Sequence, residues 1–432
     1  MREAVSGEAW LQAFLDVERA LASAEAKADV IPAAAAEAIA SACLADRFDL
    51  QAIALDSRRA GNPVEPLVRA LSAAVGSEAA PYVHRGATSQ DVLDTAAMLV
   101  AQRTLDLIVA ETDGVAASCA ELADRHRSTL MAGRTLLQHA LPTTFGLKAA
   151  GWLVAVLEAR DGLDTIREGG LNVQLGGAAG TLASLGKDGV TVLRLFADEL
   201  GLGEPVVPWH TNRVRIAALG AALDIAAGTS AKIALDVVLL AQTEVGEVAE
   251  PANGGRGGSS TLPHKQNPVG ATLASACARG AHAAASLLTG AMAQEHERAA
   301  GAWHAEWRAL GDALALTAGA ASWIREVLEG LEVNEERMRA NLDLTRGAVL
   351  AESVVTLVSD RLGRLEAQGL VREASLRAAD SGRALRDELL EDPRVDVTPG
   401  ELDAALDPVG YLGSADVFVD RALELYRDRP RA

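Results

Sequence analysis

The sequence predicts an all-α protein built on long helices, and three observations carry that expectation. Alanine is abundant while aromatic residues make up only 3% of the chain. Proline and glycine cluster at a few places, whereas an all-β chain would need turn signals roughly every 8 to 12 residues. From Leu105 the apolar positions Leu105, Ile108, Val109, Val115, Ala116, Cys119, Leu122 and Ala123 keep the spacing of one helix face, and Thr112 fills the one gap in the series.

Taken in order, residues 1–100 read as an amino-terminal helical domain of short elements broken at Pro32, at Gly61-Asn62-Pro63 and at Pro81. Residues 101–345 hold the long helices. One stretch without proline, Thr211 to Glu250, would be on the order of 55 Å long as a single helix. Another starts after Pro268 and continues past Trp303. Helices this long, with small residues at their contact faces, cannot bury themselves singly. They imply a bundle, and one shared between subunits. Residues 346–432, rich in Arg and Leu and punctuated by Pro393, Pro399 and Pro408, read as a small carboxy-terminal helical domain. The stretch 169–186, with its glycines plus Asn172 and Gln174, reads as a loop or tight turn and not as a membrane span.

Composition narrows the function. The 432 residues carry 59 acids against 40 Lys plus Arg, a net charge of -19, which opposes adhesion to nucleic acid or anionic membranes. The three cysteines, Cys43, Cys119 and Cys277, are widely spaced and form no CxxC pair, so a reducing cytosol is expected. The first twenty residues hold no apolar core of a secretion signal. His296-Glu297 opens an HExxH-like string, but its fifth residue is Ala300. Gly180 to Lys187 departs from the phosphate-loop spacing, and no GxSxG elbow occurs.

The segment most charged with chemistry is 254–269, GGRGGSSTLPHKQNPV. Its glycines, serines and prolines describe a mobile loop that closes on an anion, because Arg256 and Lys265 flank free backbone amides and a helix start follows. The order Ser, Ser, Pro, Lys, Asn, Pro resembles the GSSxMPxKxNP signature loop of the fumarase/aspartase superfamily, with Leu262 at the usual Met. HRGATSQDVLDT at 84–95, GRTLLQHALPTT at 133–144 and the Gly-rich NVQLGGAAGT around Asn172 and Gln174 match that superfamily's other motifs in the same order. Within it the strings GNPVEPLV at 61–68, PWHTNRVR at 208–215 and HERAAGAWHAEW at 296–307 are most similar to a cycloisomerase branch, in which a substrate carboxylate adds across a double bond of the same molecule.

The resemblance implies a three-domain all-α enzyme whose central helices pack in a homotetramer, with no metal or organic cofactor and a small polycarboxylate as substrate. It implies that Ser259 is the general acid/base at the carbon beside a carboxylate. Lys265 and Asn267 would hold that carboxylate, and Ser260 would assist through the loop. Thr88 and Ser89 would receive a substrate carboxylate, with helix capping as the plain alternative. Gln174, His84 and Asn62 join the substrate-binding set. Arg85, Arg213, Arg215 and Arg256 are the cationic candidates for a tricarboxylate, while Arg298 reads better as a solvated helix charge. Amine-releasing relatives carry His directly after GRT, where this chain has Leu136; a carboxylate leaves without needing a proton, so the loss is tolerable. His139 is read either as a catalytic residue or as a packed, hydrogen-bonded histidine. His210 and Asn212 have no assigned role. An adenylosuccinate-type lyase is the first rival, disfavoured by Trp307 where an Arg follows Glu. The others are a lyase expelling nitrite from a substituted succinate and a non-catalytic helical scaffold.

Overall fold

A computed structural model describes residues 2–251, 257–258, 261–262 and 264–429. The amino-terminal helices are α1 (Gly7–Lys27), α2 (Ala33–Ala42), α3 (Leu50–Ala60) and α4 (Val64–Ala74). Their breaks fall where proline and glycine put them. Pro32 precedes α2, and Gly61 ends α3 in the left-handed conformation at φ 76°. Five long helices follow: α5 (Ser89–Arg125), α6 (Phe145–Gly169), α8 (Val214–Leu240), α9 (Val269–Gly290) and α10 (Ala302–Glu329), with the shorter α7 (Gly189–Leu200) between α6 and α8. After α11 (Glu335–Asp343) the carboxy-terminal part is a run of shorter helices, of which α12 (Ala351–Leu362) and α13 (Arg364–Ser381) bury Val354, Val358, Leu370 and Val371 together. No described helix is long and apolar enough to cross a membrane.

The periodic positions of α5 are buried, from Leu105 and Ile108 to Leu122 and Ala123. Each leucine or isoleucine so buried contributes about 1.5–3 kcal/mol. Thr112 keeps its place on that face because its hydroxyl donates to the Ile108 carbonyl at 2.8 Å.

Two expectations about continuity are corrected. The stretch from Thr211 to Glu250 is not one helix. It is helical only over α8 and ends at Leu240; a turn follows in which Gly246 is left-handed at φ 61° and Glu247 is buried. The stretch after Pro268 is likewise two helices, α9 and α10, separated by residues 291–301 and closed by Gly301 at φ 126°. A third difference is the strands. β1 (Leu130–Thr135) and β2 (Gln138–Thr144) pair antiparallel through a two-residue turn, Leu136-Leu137, with a bulge between Ala132 and Arg134. Gly133 sits at that bulge, where a Cβ would come 2.9 Å from the Leu141 carbonyl oxygen. The threonines at 135, 143 and 144 favour an extended chain, and Pro142 cannot continue a helix.

The chain forms two compact units. One comprises residues 1–113, 158–231 and 273–323; the other comprises 114–157, 232–272 and 324–432. Residues 1–100 lie wholly in the first and 346–432 wholly in the second, while the central stretch is divided between them. In the first unit, α1 buries two carboxylates within the apolar core, Glu18 and Glu25. Burial pushes the Glu25 carboxyl up to about 8, partly offset by Arg85 and reinforced by Glu18. The unfolded chain ionises this group near 4.5, so it binds fewer protons than the folded protein between 4.5 and 8, and the native state loses stability as pH rises through that window. Glu25→Gln is therefore expected to stabilise the protein by an amount that grows from pH 5 to pH 8 and then levels off, measured by urea unfolding across that range.

Candidate active site

In the first unit the segment 84–91 is set by one carboxylate. Asp91 lies in the first turn of α5, 1% exposed, and accepts five hydrogen bonds. Its Oδ2 takes the Thr88 N–H and the Gly177 N–H, both at 2.9 Å. Its Oδ1 takes the Gly176 N–H at 3.0 Å, the Gln174 side-chain amide at 3.2 Å and His210 Nε2 at 2.7 Å. The Thr88 bond is the backbone half of a capping box, with Asp91 three residues into the turn. Glycine is required on both sides. A Cβ on Gly86, at φ 76°, would lie 2.6 Å from the Leu185 side chain, and one on Gly176 would lie 2.8 Å from Pro208.

One helical turn along, Asp94 accepts from Arg213 Nη1 at 2.8 Å and Nη2 at 3.1 Å, and from Trp303 Nε1 at 3.0 Å. Arg213 also donates through Nε to Glu306, which takes the Gln294 amide at 2.8 Å. Burial works against the Arg213 charge, but Asp94 and Glu306 more than restore it, so the guanidinium is held above its ordinary range. Burial raises the Glu306 carboxyl, against the pull of Arg213.

These contacts correct several expected roles within the chain. Arg213, 2% exposed, is committed to two carboxylates and does not present a cation to solvent. Gln174, fully buried, is a strut: its Oε1 accepts the Trp209 N–H at 2.7 Å while its amide goes to Asp91. Asn62 caps α4, its Oδ1 accepting the Val64 N–H at 3.0 Å and the Glu65 N–H at 3.2 Å. Arg215 donates to Asn172 and lies 4.7 Å over the Trp209 ring; burial, then Arg213, lowers its pKa. Arg298 is not a helix charge. It sits in the 291–301 connection and donates to Thr88 Oγ1 at 2.7 Å. Trp307 meets Trp303 edge-on at 4.8 Å, so its bulk serves packing in this unit. Ser89 opens α5, Arg85 is exposed, and His84 is partly exposed with Nδ1 2.7 Å from Glu18.

In the second unit the hairpin positions Arg134 and His139 opposite one another in register. Arg134 grips the fully buried Glu247 with both terminal nitrogens, at 2.9 and 2.6 Å, and Asn341 donates to the same carboxylate at 2.8 Å. Burial and the neighbouring Arg134 lower the His139 pKa, against the opposing pull of Glu247. At the hairpin tip Leu136 and Leu137 both take positive φ, 49° and 65°, and are 97% and 73% exposed. That conformation costs roughly 1–2 kcal/mol for each residue with a Cβ. Beside the hairpin a cavity of about 310 Å³ is lined by Arg134, Lys148 and Asp236 among others. Burial lowers the Lys148 pKa, against the pull of Asp236.

Ser259, Ser260 and Arg256 lie outside the described residues. Lys265 is exposed, and the Asn267 side chain donates to the Gly257 carbonyl at 2.8 Å, holding the loop's own backbone. The start of α9 is not a free anion site, because Glu250 already accepts from the Gly270 and Ala271 amides at 2.9 and 2.8 Å. Among the described residues no group of His, Cys, Asp or Glu is placed to hold a metal ion.

Reading by motif missed Asp91, Asp94, Glu306, Glu247 and His210. The Thr-x-x-Asp spacing at 88–91 was the one local signal; the others are joined only across long sequence separations.

Residues 1–281 match the lyase family, and residues 347–422 match the adenylosuccinate lyase C-terminus. The chain is 47% identical over 434 residues to a 3-carboxy-cis,cis-muconate cycloisomerase of Bradyrhizobium diazoefficiens, covering 99% of this chain and 96% of the relative. It is 49% identical to a nitrosuccinate lyase of Streptomyces davaonensis, covering 97% and 91%. The crystal structure of the 3-carboxy-cis,cis-muconate lactonizing enzyme of Pseudomonas putida superposes with a TM-score of 0.94 at 45% identity, covering 99% of this chain and 96% of that one.

Arg213→Met would leave Asp94 and Glu306 buried without their cation. The expected loss is about 3–5 kcal/mol of unfolding free energy, read by denaturant titration.

Proposed function

The chain belongs to the lyase family that includes the fumarase/aspartase enzymes, and from that premise we propose that it is a 3-carboxy-cis,cis-muconate cycloisomerase of cytosolic aromatic catabolism, in the protocatechuate branch. The observation that carries the reading is Leu136, an apolar side chain at the hairpin tip where amine-releasing relatives have histidine. With no proton donor there, the departing group must be stable as an anion, as a carboxylate is.

In the forward reaction one substrate carboxylate oxygen bonds to a carbon of a double bond in the same molecule. The π electrons move toward the neighbouring carboxylate, which becomes an aci-carboxylate dianion. Ser259 then gives its proton to the carbon between them, and 4-carboxymuconolactone results. Lys265, Asn267 and the loop amides would hold the dianion, and preorganised donors of this kind contribute about 3 kcal/mol each. The same cationic field makes the Ser259 hydroxyl acidic enough to act. Thr88, Ser89, Arg85 and Arg298 would meet the other carboxylates. The segments 84–95, 133–144 and 254–269 would be completed by different copies in a homotetramer, as the family resemblance implies.

A second reading, elimination of nitrite from nitrosuccinate, has specific support in the 49% identity to the Streptomyces davaonensis enzyme. Leu136 is as harmless to that leaving group. Purified protein offered 3-carboxymuconate, adenylosuccinate and nitrosuccinate separately, with conjugated ultraviolet absorbance followed, separates them. Consumption of the first alone is expected; turnover of nitrosuccinate alone would replace the proposal with the second reading. Ser259→Ala is expected to lower kcat on the order of a hundredfold or more. An unchanged turnover rate would contradict the role of Ser259.

A further inference from the structure

Behind the 84–89 turn lies a pair of acids that the proposed reaction does not use. Glu18 and Glu25 stand seven residues apart, two turns along the same face of α1, 1% and 0% exposed. Among the described residues neither Glu25 oxygen has a hydrogen-bond partner, nor does Glu18 Oε2. A buried carboxylate without a partner is strongly disfavoured as an anion. Burial accordingly pushes the Glu25 carboxyl up to about 8. The other oxygen of Glu18, Oε1, lies 2.7 Å from Nδ1 of the His84 ring.

His84 is held in an uncommon way. Its backbone takes φ 59°, a left-handed conformation that a β-carbon disfavours, and it is followed by Arg85, exposed, and Gly86, also left-handed. The side chain is 18% exposed while Glu18 is 1% exposed, so the ring spans from the core to the surface of the turn. With Nδ1 engaged from below, Nε2 has no partner among the described residues. Burial opposes a charge on this ring, but Glu18, with Asp91 adding to it, raises the pKa above the ordinary value.

We propose that Glu18 is a positioning residue: it anchors His84 through Nδ1 and so aims Nε2, beside Arg85 and Thr88, at a carboxylate of the polycarboxylate substrate. The inference rests on the reading of the 84–89 turn as substrate-binding and deepens it. A His–carboxylate pair of this kind fixes ring orientation, keeps the proton where the anion needs it, and costs little when the anion arrives. Neither Glu18 nor its spacing from His84 bears any motif; only the fold joins positions 66 residues apart.

The test is a double-mutant cycle. Glu18→Gln keeps the side chain's shape and removes the charge. His84→Asn removes the imidazole with a residue that tolerates the left-handed backbone. In Glu18→Gln the KM for 3-carboxymuconate is expected to rise on the order of ten- to a hundredfold with kcat within about threefold, the size expected for a hydrogen bond to a charged group. In the His84→Asn background the same substitution should change KM less than about twofold. An unchanged KM in Glu18→Gln, or an equal rise in both backgrounds, would overturn the proposal, because a purely structural acid would act without regard to His84. Should Glu18→Gln fail to fold, Glu18→Asp keeps the charge on a shorter arm and carries the same cycle. Calorimetric binding of a propane tricarboxylate repeats the cycle without turnover. If the wild type ignores carboxymuconate but binds the tricarboxylate in a Glu18-dependent way, the assigned reaction fails and this inference stands; no tricarboxylate binding by the wild type overturns it.

Discussion

One carboxylate, that of Asp91, organises the first unit. Five donors converge on it from positions 88, 174, 176, 177 and 210, so three separated stretches of chain meet at two oxygen atoms. A buried anion is tolerable only when it is fully hydrogen-bonded, and each donor pulled from water must find an acceptor in turn. That mutual requirement fixes the Thr88–Ser89 turn, the Gly176-Gly177 backbone and the His210 ring in one arrangement. Asp94, three residues on, repeats the device with Arg213, Glu306 and Trp303. The helix start therefore carries two anions one turn apart, and the 210–213 stretch answers both, through His210 and Arg213.

The second unit uses the same principle with opposite emphasis. Glu247 is buried and gripped by Arg134 from the hairpin and by Asn341, which pins the chain just after α8 ends. Glu250, three residues later, closes the first-turn amides of α9. Carboxylates thus consume the donors that an anionic ligand would otherwise find ready. Among the described candidates, Arg85 in the first unit and Lys265 in the second stay exposed.

The helical class, the breaks at Pro32, Gly61 and Pro63, and the buried face of α5 were legible in the sequence, because each depends on local spacing and on proline and glycine geometry. The family was legible from the ordered strings around Thr88, Arg134, Gln174 and Lys265. What could not be read were functions that arise from long-range pairing. Arg213 and Gln174 looked like substrate ligands because their residue types suit that task, yet the fold spends both on buried acids. Arg298 looked like a surface charge until the loop after α9 brought it to Thr88, 210 residues away. The strands β1 and β2 escaped notice because the threonines and Pro142 that favour an extended chain are mixed there with alanine and leucine, and only the paired register makes a turn out of Leu136-Leu137.

If the Asp91 carboxylate is what shapes the substrate-binding turn, its pair of acceptor oxygens is the feature to break while volume is kept. Asp91→Asn removes the charge and one of the two acceptors, leaving an amide nitrogen that faces donors. The deciding measurement is calorimetric affinity for a propane tricarboxylate, made on Asp91→Asn protein whose helix content and oligomeric state match the wild type. The account predicts at least a tenfold weaker binding, the consequence of one or two mispaired buried donors. Affinity equal to that of the wild type would contradict it.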